Sequence, residues 1–279
     1  MLPINLALVS EVAGHDPSDV ARVAAALQRQ VTRDFSPIWE VSATIDAFPR
    51  LEDVPVGYWP MIVETDIHTP GAAGVHEDTN GQPFALIAMS DSWSLTASHE
   101  MLEMLADPFG RRVIPGRSPR RGQGRVEFLV EVCDPCEAAE YAYTVNDILV
   151  SDFYTPRFLD PRRAEGVRYS YTGAIPGPRQ ILRGGYLSWH DPVSNHWWQW
   201  IWFGERKRFR DLGVFDAAAG SLRVWIDAQT EHPGIDQGLR RTDPTLKDAV
   251  AVGEETAASA SSNAQALREQ VAVLKRRDG

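Results

Sequence analysis

The sequence predicts an α+β fold, with a mixed sheet and two main helices in the N-terminal half, a C-terminal half made mostly of strands and loops, and a terminal helix. The chain has 279 residues, of which 43% are apolar, and nine tryptophans, so it can bury a sizeable core. Two N-terminal segments show the helical spacing of apolar residues, and alternating or short apolar runs lie between and after them. The order of these periodicities gives the fold class.

The elements before residue 110 follow from local patterns. The first helix begins at Asp16-Pro17, a capping residue followed by proline at the first helical position, and its apolar spacing continues to about Arg33. Residues 39–45 alternate apolar and polar side chains as a half-buried strand does, whereas residues 70–82, rich in Gly, Pro, His and Asn, are expected to form a connection. Short apolar runs predict further strands at residues 4–9, 61–67 and 84–89.

The second half is expected to contain strands and long loops. Residues 110–124 are loop-like and basic, residues 126–132 predict a strand, and residues 160–178 predict a long ordered loop. The Asn146-Asp147 turn predicts a hairpin of short strands around it, and residues 222–226 predict one more strand.

Five of the nine tryptophans lie in residues 184–191 and 196–203. Such an aromatic stripe is typical of a core or a domain seam, and the alternative is a cleft for extended apolar or carbohydrate-like ligands.

Composition shifts divide the chain into residues 1–205, a metal-site domain, residues 206–252, an irregular extension, and residues 253–279, a linker followed by an amphipathic helix. A lone helix of about 14 residues is marginal in water, so we expect the helix at 264–277 to dock on a partner or a second copy.

The most informative stretch is residues 94–108, which predict a short helix stopped by Pro108. His99 and Glu103 are four residues apart and therefore lie one above the other, with Glu100 on the flank between them. Two ligands on adjacent turns beside a carboxylate suit a hydrolytic metal site, in which Glu100 takes a proton from water on the metal. The alternative is a solvated polar face.

Further ligands are expected from the strand at 126–132 and the turn after it. Either Glu131 or Asp134 can complete the site, or one of them can support His99 through its second ring nitrogen. The alternative is a structural role for both residues, with Glu131 as the outward-facing residue of a strand and Asp134 as a turn-forming residue before proline. Asp107, two turns beyond His99, is expected to support the ligands and is a further candidate ligand, although a carboxylate before proline more often marks the end of a helix.

The predicted cofactor is a divalent metal ion. Zinc is the first choice, but one imidazole with two or three carboxylates is a hard, anionic set that also suits manganese, iron or calcium. A further histidine would change this balance, but His76, His190 and His196 all fall in expected loops, where a lone histidine is usually solvated.

Two short motifs resemble those of a known family. The segment from Ser98 to Pro108, SHEMLEMLADP, together with Val130 to Pro135, VEVCDP, is similar to a group of bacterial zincin-like metallopeptidases of unassigned function. The resemblance covers about residues 1–205 by order of elements and implies a zincin-like, metal-dependent hydrolase fold. Glu103 stands where ordinary zincins have their second histidine.

Composition also excludes some classes of protein. The net charge of −10 argues against nucleic-acid and anionic-membrane binding, and no stretch reaches the roughly twenty apolar residues of a membrane span. Because the N-terminus lacks a basic segment, we expect a cytoplasmic protein or one released without an N-terminal signal peptide. Cys133 and Cys136 are expected to be structural thiols, with a redox or soft-metal role as the alternative.

These observations together predict a metal-dependent hydrolase, with a peptide or protein as substrate. The rival hypotheses are an inactive zincin-like scaffold within a larger assembly and a divalent-ion site that only stabilises the fold.

Overall fold

The computed structural model describes residues 3–69 and 71–230, which form two five-stranded sheets, one two-stranded sheet and four α-helices. The helices are α1 (Pro17–Arg29), which continues into a π-helical segment (Gln30–Phe35), α2 (Ser36–Trp39), α3 (Trp93–Ala106) and α4 (Leu222–Asp227). The strands are β1 (Ile4–Ser10), β2 (Ala43–Phe48), β3 (Tyr58–Glu64), β4 (Gly74–Thr79), β5 (Gln82–Ala88), β6 (Val113–Arg117), β7 (Arg125–Leu129), β8 (Tyr143–Val145), β9 (Ile148–Val150), β10 (Tyr186–Asp191), β11 (His196–Ile201) and β12 (Arg208–Gly213).

The first sheet is mixed and has the strand order β2-β1-β3-β5-β4. Its strands run parallel except β4, which pairs antiparallel with β5 at one edge. Both faces are buried, as the alternation along β1 shows: Leu6 and Leu8 pack in the core that contains α1 and α3, whereas Ala7 and Val9 pack in a second cluster. A mixed-sheet α+β architecture is therefore confirmed.

The first helix forms for the reason that its sequence predicts. The Asp16 side chain accepts a hydrogen bond from the Ser18 backbone N–H at 2.8 Å, which caps the helix, and Val20, Val23 and Leu27 bury its apolar stripe. The predicted amphipathic motif helix, α3, differs, because every residue from Leu95 to Ala106 is buried, including its charged ones.

The second sheet is antiparallel, with the order β12-β11-β10-β7-β6. Beyond the end of β7 the chain continues through buried residues 130–136. The Cys133 backbone N–H bonds to Glu103 on α3, so this segment brings the predicted Glu131 and Asp134 to the motif helix.

Two N-terminal expectations are wrong. Trp39 ends helix α2 instead of starting a strand, and β2 begins at Ala43. Residues 70–82 are not simply a connection, since they contain β4, which is joined to β5 by an Asn80-Gly81 turn with φ values of 54° and 78°. Positive φ at both positions belongs to a tight hairpin turn.

Later expectations are corrected in the same way. Residues 110–124 include β6, and residues 222–226 form helix α4 rather than a strand, because the Ser221 side chain accepts from the Val224 backbone N–H at 3.2 Å and caps it. Residues 206–230 supply β12 and α4 in place of an irregular extension. The hairpin around Asn146-Asp147 is confirmed.

The Trp-rich segments form the hairpin of β10 and β11. Trp189 and Trp197 are buried, in agreement with a core role, whereas Trp198 is half-buried with the Arg120 guanidinium 4.2 Å from its ring centre. The expected helix at 264–277 lies outside the described residues. Within residues 3–69 and 71–230, no helix has the length and apolar character needed to cross a lipid bilayer.

Candidate metal centre

Helix α3 carries His99, Glu100 and Glu103 into the interior of the protein. Glu103 is fully buried, and His99 and Glu100 are about as inaccessible. The alternative of a solvated polar face is therefore wrong, because the first sheet, strand β9 and the segment after β7 enclose the helix. Buried ionisable groups are costly unless they are paired or bind a cation, so their partners decide what this cluster does.

The imidazole of His99 lies between two carboxylates. Its Nε2 atom is 3.3 Å from Glu103 Oε2 and 3.4 Å from Asp134 Oδ1. Apart from this imidazole, neither oxygen has a hydrogen-bond donor among the described residues. In a tetrahedral site with bonds of about 2.0 to 2.1 Å, neighbouring ligand atoms are about 3.3 to 3.4 Å apart. The separations therefore fit a common divalent ion.

The orientation of Glu103 is fixed by the backbone after β7. Its Oε1 atom accepts hydrogen bonds from the backbone N–H groups of Cys133, at 3.1 Å, and Asp134, at 3.3 Å. These bonds turn the unpartnered Oε2 atom toward His99, which is the kind of support that metal ligands receive from surrounding groups.

The neighbouring thiols of Cys133 and Cys136 are free and buried, and burial raises the pKa of both well above the ordinary value. This is the environment of structural thiols.

Glu131 and Asp134, which the sequence left as alternatives, both reach the centre. Asp134 contacts His99, whereas Glu131 Oε2 lies 3.1 Å from the Arg223 guanidinium and 3.9 Å from His76 Nε2. Asp134 is thus better placed as a ligand beside His99. Sequence reasoning missed Glu137, one turn later, whose carboxylate can share an ion with His99 and Asp134 because their ligand atoms lie within 4.8 Å of one another.

The largest departure from expectation is His76. It lies on β4 rather than in a loop, is 0% exposed, and its Nδ1 atom hydrogen-bonds to Glu100 Oε2 at 3.3 Å. The Asn80-Gly81 dipeptide is the sequence signal that could have placed it on a hairpin. Gly74 permits this approach of β4 to α3, since a Cβ atom there would lie 2.7 Å from Glu100 Oε1.

Other predicted residues lie apart from these ligands or in supporting positions. Asp107 is buried at the end of α3, where it accepts a hydrogen bond from the Arg112 backbone N–H, so it holds the following loop. His190 and His196 are in strands, not loops, and pair with Glu127 at 3.0 Å and Asp211 at 2.8 Å, respectively.

The electrostatics reflect an excess of buried carboxylates. Burial raises the pKa of Glu131, Asp134 and Glu137 above their ordinary values. Burial acts in the same direction on Glu103, but His99 and Arg223 outweigh it and hold the Glu103 pKa well below its usual range. For His99, burial lowers the pKa, but Glu103 and Asp134 outweigh it and raise the pKa well above its ordinary value. The cluster therefore stabilises positive charge.

Three overlapping sets of side chains can hold a cation: His76, Glu100 and Glu103; His99, Asp134 and Glu137; and Glu103, Glu131 and Asp134. The buried oxygens without hydrogen bonds and the mixed imidazole and carboxylate donors fit a divalent ion. Buried His, Glu and Asp clusters that can bind a metal are thus present, as the sequence predicts. Comparisons with protein-family models, curated proteins and solved structures give no match to this chain.

Proposed function

We propose that this chain is a metal-dependent hydrolase with a zincin-like fold, acting on peptide bonds. The observation that carries the proposal is the position of His99 Nε2, at metal-like distances of 3.3 and 3.4 Å from two carboxylate oxygens that accept no hydrogen bond from any other described residue. His99, Glu103 and Asp134 are the proposed ligands because of these two distances, and Glu137 is in reach of His99 and Asp134. Zinc is the expected metal because an imidazole nitrogen is among the donors.

The proposed roles follow from the surroundings of each group. A bound divalent ion polarises a carbonyl and lowers the pKa of water. Glu100, beside the proposed ligands but engaged with His76, accepts the proton of the attacking water and returns it to the leaving amine. His76 holds the Glu100 carboxylate in position through the 3.3 Å hydrogen bond.

The adjoining sheet edge supports a peptide substrate. β4 is the edge strand of the first sheet, and it carries His76 into the centre. An extended peptide can add to an exposed edge through backbone hydrogen bonds, and that placement would bring its main chain past Glu100.

A structural ion site is the second candidate, and burial favours it. All the ionisable side chains of the cluster are buried: His76, His99, Glu100, Glu103, Glu131 and Asp134. Arg223 closes one side of the cluster. An ion enclosed in this way could stabilise the fold without reaching a substrate.

Metal analysis and one variant separate these candidates. Protein purified without chelator is expected to contain zinc and to hydrolyse fluorescently labelled casein. Glu100→Gln should keep the metal and lose hydrolysis by about 100-fold or more, because a positioned base contributes on that scale. Glu165→Gln, the same change in an exposed loop, is the matched control.

The outcomes are distinct. Metal without hydrolysis supports the structural site, and absence of metal overturns both candidates and leaves the scaffold hypothesis. Full hydrolysis by Glu100→Gln shows that another group is the base.

A further inference from the structure

Helix α4 brings a permanent positive charge into the metal centre. Ile226 anchors the helix by packing with Leu129, Trp197 and Leu212 in a small separate cluster. Arg223, on the same short helix, has a side chain that is only 5% exposed. A guanidinium remains charged in proteins, so its burial requires anionic partners.

Those partners are the carboxylates of the proposed centre. Arg223 Nη1 is 3.1 Å from Glu131 Oε2 and 3.4 Å from Asp134 Oδ2, and its Nη2 is 3.9 Å from Glu103 Oε2. Its Nε atom lies 3.0 Å from Asp227 Oδ2, one turn along α4.

The same three carboxylates form one of the cation-holding sets. Oxygens of Glu103, Glu131 and Asp134 lie within 4.8 Å of one another, and both oxygens of Glu131 are buried without a hydrogen bond of acceptable geometry. A donor set made only of oxygens suits hard ions such as Mn²⁺ or Mg²⁺, in contrast to the imidazole-containing set around His99.

We propose that Glu103, Glu131 and Asp134 form a second divalent-cation site, which the guanidinium of Arg223 now fills. The proposal rests on the proposed function for the neighbouring ion at His99. Arg223 keeps that centre mononuclear, and removal of its guanidinium converts it into a two-ion centre with Glu103 and Asp134 shared.

Charge and space support an exchange of Arg223 for an ion. Arg223 lies in contact range of all three carboxylates, so its removal leaves them without that counter-charge. Asp227 is also freed, which adds a fourth carboxylate beside the site. A small divalent ion brings more charge than the guanidinium and occupies less volume.

The test first removes bound metal with a chelator and then compares Mn²⁺ stoichiometry among four metal-free proteins. Arg223→Gln is expected to bind one Mn²⁺ per chain more than the wild type, measured by titration calorimetry and by the electron paramagnetic resonance of free Mn²⁺. Arg223→Lys retains the charge and should match the wild type. Arg157→Gln, at an arginine whose side chain is 68% exposed, is the control for loss of a surface arginine.

A double variant locates the added ion. Arg223→Gln combined with Glu131→Gln should return to the wild-type stoichiometry, because Glu131 belongs to the second site and not to the set around His99. Equal stoichiometry in Arg223→Gln and the wild type overturns the inference, as does an added ion that persists in the double variant.

The two proposals can fail separately. If the wild type binds no ion and Arg223→Gln binds one, the second site stands and the proposed hydrolytic ion does not. If the wild type and Arg223→Gln each bind one ion, the proposed hydrolytic ion stands and the second site does not. If Arg223→Gln is less stable than the wild type, Mn²⁺ is expected to raise its melting temperature toward the wild-type value. No increase at millimolar Mn²⁺ contradicts the proposal.

Discussion

Asp34, in the π-helical segment, is as deeply buried as Glu103, yet the two carboxylates have different partners. Both oxygens of Asp34 are satisfied: Tyr171 donates at 2.6 Å, Tyr143 at 2.9 Å, and the Arg33 guanidinium donates to each oxygen. One oxygen of Glu103 accepts two backbone hydrogen bonds, but the other accepts none from the described residues.

The difference distinguishes a structural carboxylate from a ligand. Around Asp34, burial favours the protonated form, but the hydrogen bonds from Arg33, Tyr171 and Tyr143 outweigh it, and the pKa lies below its ordinary value. Around His99, one oxygen of Glu103 and one of Asp134 lie 3.3 and 3.4 Å from the imidazole Nε2 atom, and neither oxygen accepts a hydrogen bond from any other described residue. Because leaving buried polar atoms unpaired is costly, the second arrangement is the one that a bound cation would stabilise.

The largest expected effect is loss of a proposed ligand. His99→Asn should lower zinc affinity by more than the about 10- to 100-fold that loss of a supporting residue causes. Competition with a zinc-binding dye measures this. His196→Asn removes a histidine that pairs with Asp211 on the second sheet and should leave affinity unchanged. Unaltered zinc binding by His99→Asn would erase the distinction between the two carboxylate sites.

Asp34→Asn should have the opposite profile. It weakens the charged hydrogen bonds from Arg33, Tyr143 and Tyr171 and should lower the free energy of unfolding by about 2 to 3 kcal/mol. Urea denaturation measures the loss. Zinc affinity should remain that of the wild type, and a parallel loss of metal would show that the Asp34 cluster supports the metal centre.

The smallest expected effect is a difference in pH dependence. Asp134 and Glu137 have pKa values raised above their ordinary 3.8 and 4.5, so without metal their contribution to stability is present below those values and is lost as pH rises through the raised ones. Asp34 has a lowered pKa, so its contribution is present above its ordinary 3.8 and is lost as pH falls through the lowered value. Since metal binding requires ionised carboxylates, the melting-temperature increase produced by zinc should be larger at about pH 8 than at about pH 5.

Differential scanning fluorimetry with and without zinc tests this dependence. A zinc effect that is equal at both pH values would mean that the raised carboxylates do not bind the ion.

The sequence predicted the parts of the centre that depend on local spacing. His99, Glu100 and Glu103 follow from helical periodicity, and Glu131 and Asp134 follow from a strand that ends beside the helix. His76 was expected in a loop, because the residues around it are mostly polar and include a glycine. In the structure, pairing with β5 makes this segment a strand in spite of that composition.

Arg223 could not be predicted in the same way. Its segment contains mostly apolar residues and therefore predicts a strand. The signal for a helix is the single capping residue Ser221. Its partners lie at positions 103, 131 and 134, and nothing in the local pattern around position 223 specifies a contact over such separations. Tertiary packing alone assigns this arginine to the centre.

Gly74, which has no side chain, limits which substitutions are possible next to the proposed base Glu100. A single added carbon would come within 2.6 Å of Thr96 Cγ2 and 2.8 Å of Glu100 Cγ. The spacing of edge strand and helix is therefore set by the Gly74 main chain, which lies directly against the side chains of Thr96 and Glu100. A larger residue at position 74 would therefore require a compensating change at Thr96 or Glu100 on the facing side of the helix.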